Sequence, residues 1–219
     1  MDPGDRPDTP DGFDDALVDR MASTLTKWAG VAAIDKDVWH SSRALDRVVE
    51  ALPQAVGSTV EKQAGASVSP QLAVGNVFAK NVTVVGSPAI TTAWKVSTAE
   101  SDDGDPFVLL ELQTRTAYEV RVDDGPTRVI GILRVHGLSA FKDTTDDFGV
   151  TSGWQEFGAG DCALAVDDEL LPDSDSADAA KDLATFVKVG DGSKLVMPRL
   201  GVEDQVDAEF LRRCRDGSI

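Results

Sequence analysis

Arg115, Arg134 and His136 are the residues whose types and spacing come nearest to a site that could do chemistry. Two guanidinium groups can fork a carboxylate or phosphate, and an imidazole beside them adds a donor or takes a proton. Glu111 lies within reach to balance one of the cations, and Trp154 supplies an aromatic rim. The chemistry these five point to is capture of a small anion in a pocket inside a curved sheet. It depends on a hairpin. If Asp124-Gly125 is a two-residue loop, Arg115 lies directly across from Arg134, and like charges so placed destabilise a sheet. Either a carboxylate such as Glu111 or Glu119 offsets them, or an anion from outside does.

Other chemistries find less in the chain. His40 and His136 are far apart and neither Cys162 nor Cys214 belongs to a Cys-x-x-Cys, so no zinc ligand set is spaced for binding. The acidic run at 173–178 has Asp178 where a calcium loop needs Gly and Ala184 where it needs the bidentate Glu. Cys162 with His136 is a conceivable nucleophile and base, but nothing local supports a thiolate, and no Gly-x-Ser-x-Gly elbow is present. Neither a Walker loop nor Gly-x-Gly-x-x-Gly occurs. No metal and no cofactor is expected.

The elements that must position these residues follow from periodicity. Residues 107–122 and 127–141 read as two long strands around Asp123-Asp124-Gly125-Pro126. In a two-residue-loop register Val120 faces Val129, Thr116 faces Leu133 and Thr114 faces Val135, and that apolar set with Leu110 and Leu112 is the buried face. The reverse face then carries Glu111, Arg115, Ile132, Arg134 and His136.

Ahead of the hairpin, Phe13, Leu17, Met21, Leu25 and Trp28 recur at helical spacing up to Gly30. A second helix is expected over 37–52, stopped by Pro53, and a third over 54–64, closed by Gly65. From Ser69 the pattern turns to strands at 77–85 and 89–98, punctuated by Gly86-Ser87-Pro88. Residues 153–161, with Trp154, Phe157 and three glycines, read as a tight turn, 183–197 as a second hairpin and 202–215 as a short C-terminal helix.

Helices first and hairpin-connected strands after them define an α+β class, with N-terminal helices packed on a curved, mainly antiparallel sheet. The order of elements resembles that of cystatin and NTF2-like half-barrels, a likeness of architecture alone, which does not transmit function.

The 219 residues, 42% hydrophobic, suffice for one domain over 13–219. Residues 1–12 are a Pro, Gly and Asp tract too polar to fold, either a native head or a linker behind a removed signal or anchor. No apolar run reaches the ~18 to 20 residues that span a bilayer. Against 38 acidic residues stand 21 basic ones, a net charge of −17, and that field opposes nucleic acid.

A disulfide between Cys162 and Cys214 would contribute ~4 kcal/mol and place the chain in an extracytoplasmic compartment, whereas two reduced thiols would place it in the cytoplasm. These features point to a non-enzymatic accessory or protein-interaction domain, with a protein as partner. The alternative is the anion pocket, ligand-binding or enzymatic, described above.

Overall fold

The structure, a computed structural model, describes residues 1–67, 70–157, 169 and 170. Both cysteines, the 183–197 hairpin and the C-terminal helix fall outside the described residues.

Among the described residues, five helices precede a four-stranded antiparallel sheet in which each strand lies beside its neighbour in sequence. The expected α+β class with N-terminal helices on an antiparallel sheet is what the chain forms, and the described sheet is open. The longest helix, α1 (Asp15–Ile34), starts where Asp14 accepts a hydrogen bond from the Ala16 amide and runs past Gly30. A mid-helix glycine costs only ~1 kcal/mol against alanine, and the apolar stripe continues beyond it through the buried Ala32 and Ala33.

The expected second helix is two. The segment α2 (Lys36–Trp39) ends because the Trp39 carbonyl accepts from the Phe78 amide at 2.6 Å, and α3 (Ala44–Ala51) starts again after a Ser41 turn. Next come α4 (Gln54–Gly65), close to expectation, and a short α5 (Pro70–Val74) that stands where the strand pattern was expected to begin.

The two strands expected at 77–85 and 89–98 are one, β1 (Val82–Glu100). Residues 86–88 form a bulge, with Gly86 at φ +74° absorbing the register shift between Val85 and Ala89. The hairpin of β2 (Pro106–Val122) and β3 (Thr127–Phe141) forms as expected, and β4 (Gly149–Phe157) follows antiparallel to β3. Gly153, Trp154 and Phe157 therefore lie in a strand, not in a turn, because their backbone pairs with residues 132–136.

The hairpin register differs by one residue from expectation. Arg121 pairs with Thr127, so an odd number of residues, Val122 to Pro126, lies between the last paired residues. Pro126 has no N–H to close a two-residue loop. Instead the Gly125 amide donates to the Val122 carbonyl at 2.9 Å, and Asp123 turns to φ +48° with its amide on the Asn81 carbonyl. A slip of one residue sends every β3 side chain to the other face.

Helices cover one face of the sheet, with α1 lying over β2 and β3. The core has two clusters. One gathers Leu17, Met21, Leu25 and Trp28 with Leu110, Leu112 and Leu138; the other joins Trp39, Phe78 and Tyr118 with Ile130 and Ile132. The face away from the helices also has buried residues at its centre, Gln113, Ala117, Leu133 and Val135.

Candidate functional site

Thr114, not Arg115, stands opposite Arg134, and Arg115 stands opposite Leu133. The register correction parts the proposed anion site. Arg134 and His136 are on the helix-covered face, while Arg115 and Glu111 are on the reverse face, where Glu111 pairs with Lys95 of β1 at 3.2 Å. Trp154 pairs with Val135 and so occupies a register position on the reverse face, while His136 pairs with Gly153. Arg134 and His136 therefore do not share a space with Arg115 and Glu111.

Arg134, only 3% exposed, is the hub of a buried polar network. Its Nε donates to Asn76 Oδ1 at 2.6 Å, Nη2 to the carbonyls of Leu72 at 2.8 Å and Gly75 at 2.6 Å, and Nη1 to that of Ala73 at 3.3 Å. Four N–H groups thus meet protein oxygens at the end of α5. Burial pulls the guanidinium down to a pKa of about 10, which leaves it charged at neutral pH. Among the described residues no carboxylate pairs with it. The carbonyl ends of a helix turn favour a cation, so they take the place of a counter-ion.

Asn76 carries the network on. Its Nδ2 donates to the Tyr118 hydroxyl oxygen at 2.6 Å and its backbone amide to the Ala32 carbonyl at 2.9 Å. The Tyr118 hydroxyl donates to the Ala33 carbonyl, which also accepts from Trp39 Nε1 at 3.1 Å. The last turn of α1 is therefore capped by Trp39 from just beyond it and by Asn76 and Tyr118, which are remote in sequence. Burial pushes the Tyr118 phenol up, so it stays protonated.

His136 belongs to a drier neighbourhood. Its ring meets that of Trp28 edge-on, with centroids 4.7 Å apart, and neither His136 Nδ1 nor Trp28 Nε1 has a hydrogen-bond partner among the described residues. Burial, with Arg134 as a second cause, lowers the imidazole to a pKa of about 3, so it is neutral at physiological pH. On its far side Trp28 lines a cavity of about 220 Å³ with Val60, Gln63, Ala64, Ala73 and Val74, smaller than the ~300 to 1,000 Å³ of typical ligand pockets.

The outer surface holds a second arrangement that the sequence did not single out. Residues 1–12 make no helix or strand, yet the head contacts both β1 and α1. Thr92 Oγ1 and Trp94 Nε1 of β1 both donate to the Pro3 carbonyl, each at 3.0 Å. Arg6 ion-pairs with Asp15 at 3.3 Å and with Asp19, both on α1. Thr9, which donates to Asp15, and Arg6 together lower that carboxylate.

Asn76, Tyr118 and Arg6 were missed as positioning residues. Tyr118 is the only tyrosine of the chain and stands in an apolar alternation, which is the one signal that pointed to it. Among the described residues there is no group of three or more potential metal ligands, and no helix is long and apolar enough to cross a membrane. No family model, no curated protein and no solved structure matches the chain.

Proposed function

We propose that the chain is a non-enzymatic accessory domain that holds a protein partner along the β1 margin of its sheet. The observation that carries this reading is β1 itself, nineteen residues long and outermost in the described sheet. Edge strands are usually guarded by charge, proline or a bulge, because their backbone can template another chain. Here the bulge guards one end only, at 86–88, while the head rests on the Thr92 and Trp94 side chains. Along 89–98 the single charged side chain, Lys95, is drawn toward Glu111 on the neighbouring strand. The regular stretch from 92 to 98, with Thr92, Ala93, Val96 and Thr98, suits addition of an extended strand. The −17 charge favours a partner with basic residues and disfavours nucleic acid.

The reading is tested with a photo-crosslinking residue at position 95, compared with one at the exposed Glu61 of α4, in extracts of the native host. A discrete adduct at 95 that is absent at 61 supports the margin, and indistinguishable patterns sink it. We assign an extracytoplasmic compartment to the same reading, on the cysteine pair. A thiol count under denaturing, non-reducing conditions decides that, since two free thiols remove it.

A further inference from the structure

We propose that residues 1–9 are a displaceable strap over the β1 margin, and that the partner inserts an extended segment of the same chemistry, an apolar residue followed some five positions later by arginine. This rests on the interaction reading above and adds the identity of what competes for the margin.

The argument starts from what covers the helix-side face of β1. Its neighbour β2, and β3 beyond it, are covered by α1. Trp94 and Val96 are only partly buried against the core cluster, and Met1 packs against that same cluster. The head bridges the two sides, since Pro3 accepts from Thr92 and Trp94 of β1 while Arg6 reaches Asp15 and Asp19 of α1. Residues 1–6 thus form the wall between helix and edge strand.

The hold is of a kind that opens. The side chains of Asp15 and Asp19 are 77% and 62% exposed, and ion pairs that wet are weak and screened by salt. The head has no strand ladder of its own, and its non-proline residues, Gly4 above all, regain chain entropy on release. What it touches is specific all the same. A carbonyl between two donors, an apolar contact and a guanidinium between two carboxylates describe an extended peptide with one apolar and one basic anchor. A partner that carries both without a tether to this chain meets the same groups once the strap lifts.

The test uses the full chain and a labelled synthetic peptide of residues 1–12, read by fluorescence anisotropy. In the full-chain variant Arg6→Asp, repulsion from Asp15 and Asp19 releases the strap, and the peptide binds this variant at least tenfold more tightly than the parent. Binding weakens as salt rises and is lost when the peptide itself carries Arg6→Asp. A chain carrying Arg6→Ala with Asp19→Arg, whose own strap has no charged anchor at position 6, recovers binding of that altered peptide, a charge swap between peptide and chain that a folding defect does not imitate. Equal peptide affinity for parent and Arg6→Asp chains, or no recovery in the swap, overturns the strap. Crosslinks at position 95 that persist while the peptide fails leave the interaction reading standing and remove only the strap.

Discussion

Asn76 and Tyr118 join side chains across the helix–sheet boundary, Nδ2 of the amide donating to the phenol oxygen at 2.6 Å while Oδ1 of the same amide accepts from Arg134. One short side chain therefore satisfies a buried cation and a buried phenol together, and its backbone amide closes the end of α1 through the Ala32 carbonyl.

Asn76→Ala should be among the most damaging single changes in the described core. It leaves Arg134 Nε and the Tyr118 hydroxyl short of a partner, and a buried charged donor without its acceptor costs more than a neutral one, together about 3 kcal/mol. Urea denaturation would show this as a lower midpoint with an unchanged slope. A loss below about 1 kcal/mol would mean that water enters and the network is not closed.

Arg134→Lys keeps the charge but not the fork. A single ammonium cannot span Asn76 and three backbone carbonyls, so the variant should lose about 2 to 4 kcal/mol. Amide exchange over 70–76 should accelerate before the rest of the sheet is affected. Uniform acceleration across β2 and β3 instead would show that Arg134 does not specifically hold α5.

The buried imidazole makes stability pH-dependent in a defined window. His136 has a folded pKa near 3 and titrates near 6.5 when unfolded. Between those values the unfolded chain holds the proton and the folded chain does not, so stability falls as pH is lowered through the window. From pH 7 to pH 5 this group alone should remove about 2 kcal/mol. His136→Phe keeps an aromatic ring against Trp28 and should flatten that part of the pH profile. Parallel profiles for parent and variant would place the imidazole in contact with water.

Gly75→Ala tests packing at the turn that carries the network. A Cβ there would sit 2.7 Å from Val38 Cγ1, inside any real contact distance, and overpacking of this kind costs about 1 to 3 kcal/mol. Combining it with Val38→Ala makes room, so the double variant should be about 1 kcal/mol more stable than the two separate losses added together. Simple additivity would assign the cost elsewhere.

Much of the fold was legible in the residues because it rests on local pattern. The apolar stripe from Leu17 to Trp28 names a helix face, Pro53 and Gly65 delimit α4, and alternation on either side of Asp124-Gly125 names a hairpin. Tertiary contacts won at the boundaries. The Phe78 amide took the carbonyl that would have continued α2, and a two-residue bulge kept β1 in one piece across Gly86-Ser87-Pro88.

The site was less legible, for a reason that lies in one turn. Periodicity two places residues of one strand on alternate faces but says nothing of how two strands are set against each other. That depended on Asp123 adopting a positive φ while its amide reached Asn81, a contact across the fold. The sequence by itself determined helices, strands, charge and the presence of two arginines and a histidine in the hairpin. Only the folded chain decided that Arg134 and His136 turn inward to Asn76 and Trp28 while Arg115 stays on the other face, because facing depends on register, and register on contacts between segments far apart along the chain.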